Sequence, residues 1–198
     1  MRKRIGIYGG SFDPIHIGHL IMAEQARQAA GLDEVWFIPA SNPPHKEGSV
    51  ASSQDRLAMV ERAVAENPYF RVSRVEMERE GPSYTVDTLR QLVRRHQDAQ
   101  FYLVVGADMV LDLPHWYNIE EITETAEIIG LVRPGVDVDT NRIPEHIKKR
   151  LTLVDEGVQV DLSSTWIRER AAEGGTFRYL VPEPVRQYME AHRLYESR

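Results

Sequence analysis

At 198 residues the chain suits one domain, or one domain with an appendage, and can bury a core without covalent staples. Its 24 Lys and Arg against 30 Asp and Glu leave a net charge of −6, which argues against non-specific binding to nucleic acid, a task that needs a basic face. The absence of Cys excludes disulfides, thiolate zinc sites and a Cys nucleophile. No apolar run approaches the roughly 20 residues of a membrane span, and the opening MRKRIGIY has no long apolar stretch behind its basic residues, so neither a membrane partner nor a secretory signal is expected. A cytoplasmic protein is the expectation.

Taken in chain order, short apolar runs closed by turn residues alternate with helical patterns. Arg4 to Tyr8 is β-branched and stopped by Gly9-Gly10, and Leu20 to Ala30 follows with Leu20, Ala23, Ala26 and Ala30 at helical spacing before Gly31. Val35 to Pro39 is a second apolar run. Ser52 with Asp55 resembles a capping box opening a helix over Asp55 to Ala65. A weaker strand is expected at Phe70 to Ser73, then a helix over Tyr84 to His96 repeating Val86, Leu89 and Val93. Phe101 to Val105 ends at Gly106, Ile128 to Val132 ends before Arg133-Pro134-Gly135, and a last strand is expected around Leu151 to Val154. Asp161 to Arg168 reads as a strand end followed by a helix start. The helix over Ser164 to Glu173 stops at Gly174-Gly175, and Pro184 to His192 opens on proline.

Runs of this kind suit strands buried on both faces. Their alternation with helices predicts right-handed crossovers and an α/β, Rossmann-like, doubly wound, mostly parallel sheet of five or six strands with helices on both faces. Residues 1–198 read as one domain, with 160–198 as its helical C-terminal part. Ligands of such sheets bind outside the carboxyl ends of the strands, which directs attention to the segments after Tyr8, Pro39, Val105 and Val132.

The first of these segments is the most informative. Gly9 and Gly10 allow backbone to approach a ligand, and no GxGxxG dinucleotide fingerprint is present. His16 and His19 stand three apart where a helix should begin, so they share a face above a terminus whose N–H groups favour an anion. Two His at this spacing could also ligate zinc, but no carboxylate or Cys accompanies them at ligand spacing. Far along the chain, Ser163, Ser164 and Thr165 open a helix with Arg168 one turn in, a residue whose planar fork suits phosphate oxygens.

GGSFDPIHIGH resembles the turn of the nucleotidylyltransferase superfamily, whose HxGH signature His16-Ile17-Gly18-His19 matches literally, and Leu162 to Arg168 is similar to its ISSTxIR motif with Leu at the first position. The resemblance covers the chain and implies catalytic roles for His16 and His19. It implies ATP contacts for Gly9, Gly10, Ser11, Phe12, Ser163, Ser164, Thr165 and Arg168. Further segments, Asn42-Pro43-Pro44-His45-Lys46, Ser83-Tyr84-Thr85, Gly106-Ala107-Asp108 and His115-Trp116, resemble the bacterial nicotinate-nucleotide adenylyltransferase family.

On that resemblance Gly106, Asp108 and Arg133 join the ATP side, while Lys46, Tyr84, Thr85 and Trp116 serve nicotinate mononucleotide. Trp116 would stack on the pyridine ring, and the Tyr84 and Thr85 N–H groups would meet its carboxylate. The implied partners are ATP and nicotinate mononucleotide, with Mg²⁺ carried by ATP oxygens and no dedicated protein metal site. Oligomeric state stays open. The alternatives are phosphopantetheine adenylyltransferase or another small-molecule nucleotidylyltransferase, and a non-catalytic nucleotide-binding sensor.

Overall fold

The computed structural model describes residues 2–41, 50–79, 81–132 and 138–197. Within them six strands form one sheet: β1 (Lys3–Gly10), β2 (Glu34–Pro39), β3 (Phe70–Val72), β4 (Ala99–Gly106), β5 (Ala126–Leu131) and β6 (Leu151–Val154). All neighbours pair parallel, in the order β3-β2-β1-β4-β5-β6. This is the doubly wound nucleotide-binding order, in which the chain leaves the sheet centre first to one side and then to the other.

The sequence explains why both faces are buried. Along β1, Ile5 and Ile7 point into one apolar cluster and Tyr8 into the other; along β4, Phe101, Leu103 and Val105 alternate with Tyr102 and Val104. One face is covered by α1 (Ile17–Ala29), α2 (Ser53–Val64), α7 (Ser164–Ala172) and α8 (Glu183–Ala191), through Ala23, Met59, Ile167 and Met189. The other is covered by α3 (Thr85–Arg95), α4 (Ala107–Asp112), α5 (Ile119–Thr125) and α6 (Glu145–Lys148), through Leu89, Val110, Ile122 and Ile147. No helix among the described residues is long and apolar enough to cross a membrane.

The signals that end elements act as their chemistry requires. Gly31 takes φ +58 after α1, where a side chain would be strained. Ser52 Oγ accepts the Asp55 N–H at 3.0 Å, and so caps α2.

Several sequence expectations are corrected. Val93 does not serve the core: it is 38 % exposed, and Leu92, one residue (about 100°) round the helix, is buried instead. No strand ends at Asp161, since β6 stops at Val154 and residues 155–163 follow in neither helix nor strand. Pro184 is the second residue of α8 rather than the first. Helices α4, α5 and α6 went unread because two turns or fewer carry too little 3.6-residue period to show. Ser52→Ala should cost about 1 kcal/mol and lower Tm by roughly 2–4 °C, measurable by calorimetry.

Candidate active site

Strands β1 and β4 are neighbours from which the chain departs in opposite directions, so a crevice lies beyond their carboxyl ends. The segment leaving β1 enters it. Phe12 takes φ +48, an uncommon conformation for a bulky residue, and its ring is buried against Tyr8, His19 and Phe37 with centroids 5.2–5.8 Å apart. The ring of Phe12 thus belongs to the core, so any contact it makes with a ligand is through its backbone.

His16 is the N-cap of α1, and its backbone N–H donates to His19 Nδ1 at 3.1 Å. An accepting Nδ1 assigns the proton of a neutral His19 to Nε2, leaving a donor on the far side of the ring. The two imidazoles stack with centroids 3.6 Å apart at 20°. Gly18 makes this possible, because a Cβ there would lie 3.1 Å from His16 Cε1 and Nδ1.

The second motif closes on the first. Arg168 Nη1 donates to Asp13 O at 2.8 Å and Ser164 Oγ to Pro14 O at 2.9 Å. Ser163 Oγ caps α7 by accepting the Trp166 N–H, and Thr165 Oγ1 accepts from Arg168 Nη2. Thus Gly9, Gly10, Ser11, His16, His19, Ser164 and Arg168 come together although 150 residues separate Pro14 from Ser164.

Beside the glycines lies a cavity of about 120 Å³. Gly9, Gly10, Ala40 and Val105 bring strand ends to it, Thr85 and Thr88 bring the start of α3, and Trp116 forms a wall. A Cβ on Gly9 would meet nothing within 4 Å, so the glycine keeps this side open. Trp116 Nε1 is buried with no hydrogen-bond partner among the described residues, an unsatisfied donor of the kind a ligand acceptor relieves. Of the two expected backbone donors, Tyr84 spends its N–H on Pro82 O at 3.1 Å, and its ring lies 4.9 Å from that of Tyr117. Thr85 opens α3, where helix N–H groups lack internal partners.

Gly106 is the N-cap of α4, and Asp108 is exposed on its first turn. Lys46, with Asn42-Pro43-Pro44-His45, and Arg133 lie outside the described residues. Among the described residues no three His, Asp or Glu side chains converge to hold a metal ion.

Three features went unread in the sequence. A cleft beside Gly18, Ile21 and Met22 is closed by Val132, Gly157 and Val160. Gly157 sits there at φ +140, a conformation in which any side chain would be strained. Arg56 is 1 % exposed, with Nη1 donating to Ser11 O at 2.6 Å; a charge on the apolar face of α2, beside Met59 and Val60, was its one visible signal.

Glu76 is the third, a buried carboxyl lining the cavity and accepting from Thr88 Oγ1 at 2.7 Å. Burial pushes it above the ordinary carboxylate range, opposed by hydrogen bonds from Thr88 and Ser83 and by the charge of Arg79. A raised folded value makes its contribution to stability complete below the unfolded value of 4.5 and lost as pH rises through the folded one. Glu76→Gln, which cannot ionise, should therefore gain Tm relative to the native chain between acid and neutral pH, as thermal unfolding across pH will show.

Comparison with known proteins agrees with this geometry. The cytidylyltransferase-like family model matches residues 7–170. A "probable nicotinate-nucleotide adenylyltransferase" of Geobacillus kaustophilus is 48 % identical over 98 % of this chain and 87 % of its own length. A relative of the same description from Halalkalibacterium halodurans is 47 % identical over 98 % of this chain and 92 % of its own. In fold, the chain is similar to a Plasmodium falciparum nicotinic acid mononucleotide adenylyltransferase solved with NaAD (TM-score 0.81, 20 % identity, 98 % and 97 % of the two chains). With nearly half its residues shared along its whole length, the chain belongs to the nicotinate-nucleotide adenylyltransferase family.

Proposed function

We propose that the protein transfers the adenylyl group of ATP to nicotinate mononucleotide, giving nicotinate adenine dinucleotide and pyrophosphate. The observation that carries this reading is a one-ring cavity opening beside a donor-lined turn. At about 120 Å³ it is close to the roughly 150 Å³ that takes a benzene. That is room for a single six-membered ring. Trp116 lines it and offers an aromatic ring for stacking, and Thr85 a helix-terminal N–H for the ring carboxylate.

The mononucleotide phosphate is already anionic and needs no general base. One of its oxygens attacks the α-phosphorus in line, and the bond from that phosphorus to the α,β-bridging oxygen breaks, so that oxygen leaves as a terminal oxygen of pyrophosphate. What the chain supplies is positioning and stabilisation of charge on the phosphate oxygens. His19 Nε2–H and the His16 ring serve the oxygens nearest the transfer, with Gly9, Gly10 and the Ser11 and Phe12 backbone shaping the approach. Ser163, Ser164, Thr165 and Arg168, at the start of α7, hold the leaving pyrophosphate. Gly106 and Asp108 face the ribose and, with Arg133, complete the ATP side; Lys46 and Tyr84 complete the mononucleotide side. The donors of the turn suit anions and not a cation, so Mg²⁺ would be held by triphosphate oxygens and water. The chemistry it supplies is neutralisation of that charge.

Pyrophosphate release from ATP, measured beside nicotinamide mononucleotide, phosphopantetheine and glycerol phosphate, tests the reading; turnover with one of these and none with nicotinate mononucleotide would overturn it. His19→Ala should lower kcat by about two to three powers of ten, with unchanged unfolding. Trp116→Ala should raise KM for the mononucleotide by roughly tenfold, in line with about 1–3 kcal/mol for a stacked ring, while KM for ATP stays close to that of the native chain.

A further inference from the structure

Tyr195 lies beyond every segment assigned to a substrate. Yet its Oη donates to Asp13 Oδ1 at 2.6 Å, across 182 residues. Asp13 is 4 % exposed, and the same carboxylate accepts the Val50 N–H at 2.8 Å and the Ala51 N–H at 3.2 Å. Tyr195 itself is 9 % exposed and takes φ +68, a conformation a bulky residue keeps only where its surroundings hold it. Burial, and then the neighbouring Asp13 carboxylate, push its hydroxyl pKa up, so it stays a donor.

The backbone of Asp13 is gripped separately by Arg168, and three residues later stands His16. A buried carboxylate that loses a donor must find another or bear the desolvation cost. Arg56 on Ser11 O and Ser164 on Pro14 O hold the backbone on either side, so the Asp13 carboxylate is one of a set of contacts that together fix this turn.

We propose that Tyr195 is a positioning residue for adenylyl transfer: its hydroxyl, through the Asp13 carboxylate, sets the turn that presents His16 and His19. This rests on reading that turn as the transfer site. The ring is packing, and the hydroxyl is the functional part. Tyr195→Phe keeps the first and removes the second, so a merely structural Tyr195 would leave the variant silent in kinetics.

The test compares Tyr195→Phe, Asp13→Asn and the double variant at a temperature well below unfolding. Tyr195→Phe should lower kcat about tenfold, the scale of one buried hydrogen bond to a charged group, with KM for both substrates changed by less than about threefold. Asp13→Asn should lose more, and the double variant should be within about twofold of Asp13→Asn alone, since both act through one contact. Hydrogen exchange at the amides of residues 11–19 should quicken in Tyr195→Phe, a readout that needs no turnover. A Tyr195→Phe enzyme within about twofold of the native kcat, or a double variant showing the product of the two losses, would overturn the proposal. If the native chain turns over no acceptor, the functional reading fails, and exchange rates at the turn still decide the role of Tyr195.

Discussion

The pairing of β1 with β4 is the constraint on which the rest depends. Lys3 to Ile7 lie in parallel register with Ala99 to Leu103, and the chain winds away from this pair on opposite sides. No crossover helix can cover the point where the winding reverses, so the carboxyl ends of the two strands open on a crevice. Past their more exposed first residues, both strands are buried on both faces by largely apolar side chains, which leaves little place there for charged groups. Chemistry is therefore confined to the residues just past their ends: the turn after Gly10 and the segment after Gly106.

That confinement reconciles an acidic chain with an anionic substrate. The net charge of −6 is an average over the surface. At the crevice the structure gathers His16, His19, Arg168, Arg56 and the first turns of α1 and α7, all donors or cations. Much of the surface Asp and Glu is spent on neighbouring Arg or Lys, as in Arg186 with Glu183 and Glu190 or Arg150 with Glu127. Exposed pairs of this kind add little stability, but they keep negative charge engaged away from the site.

How much was legible in the sequence follows from the range of the interactions. Four of the six strands were plain, as short apolar runs closed by Gly, Pro or Arg, while β3 and β6 were weaker signals; the doubly wound, parallel character followed from their alternation with helices, and the strand order did not. The His16–His19 turn and the Ser163 to Arg168 segment were readable because each packs its chemistry into a few adjacent residues. Glu76, Arg56 and Tyr195 were not. Their partners are Thr88, Ser11 and Asp13, at separations of 12, 45 and 182 residues, and only folding brings such pairs together. For Phe12 the limit is complementary: a position in a motif does not say whether ring or backbone is turned outward, and here the ring is buried.

The supports of the turn have a consequence for synthesis. Pro14 waits for Ser164, the Asp13 carbonyl for Arg168 and the Asp13 carboxylate for Tyr195, at separations of 150, 155 and 182 residues. Each doubling of a closed loop adds only about 0.6 kcal/mol of entropy cost, so the contacts are affordable in the finished chain. On the ribosome, where domains form as the chain emerges, β1 and α1 are made well before these partners and wait without the contacts while the intervening residues are added. The turn is made early relative to the residues that hold it and is set only once Ser164, Arg168 and Tyr195 have emerged, so its final shape should arrive late and all at once.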